Sequence, residues 1–138
     1  MRLTAILAIT CLIATALPSL AQVTTENRSV VAPFGVSMKN AATSITLDQM
    51  LKNPAMLCTE PGAEIVDFTI SFMPAGKDFM GPFKISGSPR LQGMALEAIQ
   101  KFKENNDKKV RVFIENIKIK QHDGAIRTAA PLVFVTAD

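Results

Sequence analysis

Two periodicities organise the apolar positions of this chain. From Glu64 to Met73 (EIVDFTISFM), Val66, Phe68, Ile70 and Phe72 alternate with Ile65, Asp67, Thr69 and Ser71. A period of two with one apolar face predicts a half-buried strand, ended by Pro74. Phe83 to Ser86 reads as a short second strand. The intervening loop 74–82 (PAGKDFMGP) has turn residues at both ends, and its apolar Phe79 and Met80 are expected to fold back on the core. The period then changes. Leu91, Met94, Ala95, Ala98 and Phe102 recur at helical spacing and make one stripe, with Gln92, Glu97, Gln100, Lys101 and Glu104 largely off it. Ser88 suits the N-cap and Pro89 the first helical position, so the helix is predicted over Pro89–Glu104, ending near Asn105-Asn106. A shorter helix is predicted over Thr46–Lys52, where Thr46 and Gln49 have the spacing of a capping box.

Lys109 to Lys120 reads as a long strand with a fault in its phase. Val110, Val112 and Ile114 are apolar at even positions, Ile117 and Ile119 at odd ones. One extra residue near Glu115-Asn116 would restore the phase, which predicts a β-bulge there. Asp123-Gly124 is a strong two-residue hairpin signal. It pairs His122 with Ala125, Ile119 with Thr128 and Ile117 with Ala130. The return strand, Ala125 to Val135, then places Ile126, Thr128, Ala130, Leu132 and Phe134 on one face, while Val133 and Val135 add apolar character to the other. These elements predict an α+β fold: a mostly antiparallel, sandwich-like β-sheet, one main helix packed on a face, and a long C-terminal β-hairpin.

The start of the chain stands apart. Arg2 followed by the apolar run Leu3–Leu17, Pro18, and small residues at Ser19 and Ala21 is the layout of a signal peptide cleaved after Ala21. The run is short for a membrane span, which takes roughly 20 residues. A rival reading would lipidate Cys11, but Ala8-Ile9-Thr10 fits that poorly. The expected organisation is a signal peptide over 1–21, a linker or N-terminal arm over 22–42 with one edge strand near Val30–Val36, and a single domain over 43–138. The protein is expected to be exported, to the periplasm or the cell surface. Its formal charge of +3 falls to +2 once Arg2 is removed. Acidic residues are interleaved with the basic ones between Lys101 and Arg127, which argues against nucleic acid.

Candidate chemistry is sparse. Cys58 is the only cysteine left after cleavage, so no intramolecular disulfide is expected, and its neighbours Met56 and Leu57 suggest a buried thiol. One histidine and one cysteine do not make a usual zinc set. No phosphate loop or nucleophile elbow is present. His122 would sit at an exposed hairpin tip with no cleft to orient a substrate, while Asp123 is occupied by the turn. No cofactor, no metal and no catalytic residue are expected. The remaining candidates are surface residues for binding a partner: Lys118, Lys120, His122 and Arg127 on the hairpin, and Phe79 and Met80 in the 74–82 loop.

Four features in order, VDFTISF, Gly87 ahead of a helix, VRVFIENIKIKQHDGAIR and APLVFV, resemble the C-terminal periplasmic domain of GldM, the gliding-motility and type IX secretion motor protein of Bacteroidota. The matching positions are Ser71-Phe72, Gly87, Ile114, Glu115, Ile117, Lys118, Asp123, Gly124 and Arg127, and the resemblance runs from about Ile45 to Val135. His122 departs from it, since those domains usually carry proline there. The motor proteins also have a transmembrane helix and several periplasmic domains. The resemblance therefore implies the fold and a non-catalytic role in periplasmic protein–protein contact, without motor activity.

Three function classes follow. The first is an exported interaction module binding cell-envelope protein through its hairpin or a sheet edge. The second is an inhibitor or ligand-binding protein that inserts the 74–82 loop into a cleft. The third is a small enzyme using Cys58 and His122.

Overall fold

A computed structural model describes residues 31–38 and 44–137. The segment 1–21 read as a signal peptide, with Cys11, and most of the segment 22–42 read as an arm lie outside the described residues. Among the described residues, seven strands and two helices follow in order: β1 (Val31–Pro33), α1 (Leu47–Lys52), β2 (Met56–Cys58), β3 (Glu64–Pro74), β4 (Met80–Ser86), α2 (Gly93–Glu104), β5 (Val110–Lys120), β6 (Ile126–Ala129) and β7 (Leu132–Val135). The fold is α+β and dominated by antiparallel sheet. A five-stranded sheet has the order β4-β3-β5-β6, with β7 also pairing with β5, and β1 and β2 form a separate two-stranded sheet.

The phase fault in β5 is a bulge, and it belongs to the whole sheet. Asn116 adopts φ 51, and the β3–β5 register slips between Asp67↔Lys118 and Thr69↔Glu115. A compensating slip lies between Ile65↔Ile119 and Asp67↔Lys118. On the other side, Ala130-Pro131 interrupts the return strand between the pairs Ile117↔Ala129 and Ile114↔Leu132. In all three places the buried positions step by three residues: Ile65 to Phe68, Ile114 to Ile117, Ala129 to Leu132. The strands therefore change parity at one level, and a single core face is kept above and below it. This corrects two expectations. Ile65 is buried and Val66 only half-buried, because the extra residue of β3 falls there. The return strand is two strands, since Pro131 has no N–H to give to a ladder.

The hairpin register is one residue away from that expected. Gln121 N–H donates to Ala125 O (2.8 Å) and Gly124 N–H to Gln121 O (2.9 Å). The loop is therefore His122-Asp123-Gly124. Only Gly124 among these has positive φ, at 87°, so the turn is type I closed by a left-handed glycine instead of type I′. Asp123 Oδ1 accepts the Ala125 N–H at 2.9 Å. The pairs become Ile119↔Arg127 and Ile117↔Ala129. Ile126 and Thr128 consequently face solvent, and Ala129 faces the core.

The main helix starts four residues later than expected. Pro89 O accepts the Met56 N–H (2.7 Å) and Leu91 N–H donates to Pro54 O (2.8 Å). Residues 89–91 therefore run extended beside 54–56, and a long-range ladder outcompetes the first helical turn. Ser88 Oγ accepts the Arg90 N–H instead of capping. The buried stripe is Ala95, Ala98, Ile99 and Phe102, while Met94 is 71% exposed. The far end matches the expectation. Asn106 takes φ 57, and Asp107 N–H reaches Phe102 O at 2.9 Å, which is a Schellman closure. The Thr46–Gln49 capping box of α1 is formed in both directions.

One layer covers one face of the sheet. The Phe102 ring of α2 meets Phe72 edge-on at 5.4 Å, and Phe34, just after β1, meets Phe134 at 6.3 Å. Met50 of α1 and Met56 of β2 join the same buried cluster as Ile70, Val112 and Ile114. The core therefore reaches back to Val31, inside the segment read as an arm.

Candidate protein-interaction surface

The other face of the sheet carries no second layer among the described residues, and the level of the bulges divides it in two. Above that level it is laced with charge. Lys118 Nζ donates to Thr128 Oγ1 across the strands at 3.0 Å. Lys118 also stands opposite Asp67 in register, and Lys120 opposite Glu64. Asp67 is further engaged by the Gly87 N–H at 2.9 Å. Arg127, on the core side, forms an ion pair with Glu60 that ties the 59–63 turn to the hairpin. His122 is exposed, but its base is not free: a Cβ added at Gly62 would lie 3.0 Å from the His122 Cβ. The turn of Gly62 thus rests on this residue, giving it a packing contact that the sequence did not suggest.

Below that level the same face carries an apolar cluster, with Arg111 and Glu115 at its two ends. Three cross-strand rows lie side by side. Thr69, Ser71 and Met73 of β3 stand opposite Glu115, Phe113 and Arg111 of β5. Phe113 and Arg111 in turn stand opposite Val133 and Val135 of β7. Val133 is 54% exposed and Val135 47%, with Met73 and Phe113 half-buried beside them. Phe79 reaches over from the β3–β4 loop, with its ring 6.1 Å from that of Phe113 and half its surface open. A shallow concavity of about 310 Å³ lies at the Arg111 end, between Met73, Lys77, Lys109 and Val135. Clustered exposed side chains of this kind mark binding surfaces more often than scattered ones do.

The structure separates the two loop candidates. Phe79 belongs to this apolar patch. Met80 opens β4, pairs with Phe72 in register and packs half-buried on the core, so the loop proper is shorter than 74–82. Of the other candidates, Lys118, Lys120, His122 and Arg127 gather at the hairpin end, away from the patch. Phe113, Met73, Val133 and Val135 were not singled out from sequence. Their signal is a strand apolar at both parities, as in Val112-Phe113-Ile114 and Leu132–Val135, which exceeds what a single core face needs.

Cys58 is a free thiol, half-buried against the core. No group of three or more His, Cys, Asp or Glu placed to hold a metal ion occurs among the described residues, and no helix among them is long and apolar enough to cross a membrane. No family model, curated protein or solved structure matches the chain.

Proposed function

We propose that this protein is a non-catalytic interaction module, exported to the cell envelope, that binds envelope protein through the apolar half of its open sheet face. The observation carrying this reading is the cluster of exposed Phe79, Val133 and Val135 around half-buried Phe113, on a sheet whose other face packs into the core. Exposed apolar clusters invite association and lower solubility unless a partner covers them. The sequence pattern of the N-terminal segment supports export. The resemblance to the GldM periplasmic domain supports a role in contact with gliding-motility or type IX secretion components. The engagement of Lys118 by Thr128 and of Arg127 by Glu60 supports the patch over the hairpin as the binding surface.

The test is mild cross-linking and co-purification from envelope fractions. The wild-type chain is expected to bring down a defined envelope protein, and a Phe113→Ser/Val133→Ser chain is expected to lose it while keeping its fold. A wild-type chain that stays solitary, or a variant that retains the same partner, would overturn the proposal. The inhibitor reading is weakened by the position of Phe79: its ring leans on Phe113 as part of a broad face, whereas a cleft-inserting residue would project alone.

A further inference from the structure

We infer that the apolar half-face binds a second copy of this chain, forming a two-fold β-sandwich centred on Phe113. The inference deepens the proposed function, naming a second copy as the envelope protein that takes this surface, and rests on its choice of surface.

The observation is the row of β5 itself. On the open face it reads Arg111, Phe113, Glu115: a cation, an aromatic ring and an anion at equal spacing. Arg111 and Glu115 are both exposed, and among the described residues neither takes part in an ion pair. A symmetric dimer uses the same patch on both subunits, so each contact occurs twice with the partners exchanged. Turning a second copy about an axis that passes over Phe113, across the strands, lays β5 antiparallel on β5. Arg111 then faces Glu115 of the partner subunit, Phe113 meets its own counterpart, and Glu115 faces the partner's Arg111. The row is its own electrostatic complement.

The neighbouring rows obey the same operation. Val133 meets its own counterpart, Thr69 faces the partner's Met73, and Ser71 between them is already buried within its own chain and offers no surface. The end of β7 at Val135 lies over the partner's Pro131, which is exposed, so that Pro131 is set toward the concavity beside Arg111. Apolar side chains meet apolar or neutral ones throughout, and no like charges are opposed within these three rows. Face-to-face sheets pack about 10 Å apart and cross at about 30°. Residue 111 or 115 lies only about 7 Å along the strand from the axis, so that rotation displaces the two ends by a few Å, within reach of the long Arg and Glu side chains. A hydrophobic centre flanked by charge pairs at the rim also matches the general anatomy of interfaces.

Sedimentation equilibrium of the purified chain, over a series up to about 1 mM, tests this. The wild type is expected to dimerise reversibly, and Phe113→Ser to be monomeric. Arg111→Glu alone and Glu115→Arg alone each oppose like charges, and each is expected to weaken the dimer about tenfold or more. The double exchange Arg111→Glu/Glu115→Arg restores the complement and is expected to recover affinity to within about threefold of wild type. Urea unfolding confirms that all variants fold. A wild type that is monomeric throughout the series, a Phe113→Ser chain that still dimerises, or a double exchange no better than the single changes overturns the inference. A monomeric wild type whose envelope partner is still lost in Phe113→Ser/Val133→Ser overturns the dimer alone and leaves the interaction reading standing. If that partner is also retained, both fall.

Discussion

At the scale of single residues, neighbours in sequence diverge sharply in role. Phe79 and Met80 are adjacent and both apolar. Phe79 lies half open on the outer face, and Met80 packs half-buried on the core across from Phe72. Phe79→Ser is therefore expected to change unfolding free energy by no more than about 0.5 kcal/mol. Met80→Ser removes part of a core contact and is expected to cost about 1–2 kcal/mol, as measured by urea titration. If the two cost the same, the assignment of the residues to opposite faces is wrong. His122 shows the same dependence on surroundings: with no evident structural role in the sequence, it supports the backbone of Gly62 in the fold.

At the scale of elements, the bulge at Asn116 organises the sheet. Its left-handed backbone, φ 51, is one that asparagine tolerates and β-branched residues do not. Asn116→Val is expected to destabilise by about 1–3 kcal/mol, and Asn116→Gly to leave stability within about 0.5 kcal/mol of wild type; thermal unfolding distinguishes them. Equal effects of the two changes would mean that backbone conformation is not what this position supplies. The phase fault that predicted the bulge was legible because three apolar residues at even positions followed by two at odd ones have no other solution in a strand with one buried face. The hairpin register was less legible. Asp-Gly is compatible both with a two-residue loop and with the three-residue loop that forms, and the two differ by one pairing step. The helix start was misread for a related reason: Ser88-Pro89 has good local helix-start chemistry, but the ladder to residues 54–56 offers those backbone groups longer-range partners.

At the scale of the whole molecule, both helices and the small sheet lie on one face of the large sheet. Phe102 links α2 to that sheet through Phe72 and is buried to within 3%. Phe102→Ala is expected to lower the free energy of global unfolding by about 3–5 kcal/mol in chemical denaturation. A loss below about 1 kcal/mol would mean the helix is peripheral to the core. One-sided packing also accounts for the binding surface. Layers cover the face where Phe72, Val112, Ile114 and Leu132 converge, and the face bearing Phe113, Val133 and Val135 is left for a partner. The small sheet carries the core back to Val31, and Phe34 just after it packs edge-on against Phe134.

The sequence by itself determined the features that depend on near neighbours along the chain: the strands of period two, the bulge near Glu115-Asn116, the capping box at Thr46–Gln49 and the end of α2 near Asn105-Asn106. Each is set by steric or hydrogen-bonding preferences within a few residues. Only the tertiary structure decided where α2 begins, which register the hairpin takes, and which of two apolar faces remains open. Those choices turn on backbone partners far away in the chain and on where the few covering elements can pack. A strand apolar at both parities is compatible with burial on either face, and it was the placement of α2 and β1 that left Phe113 outward.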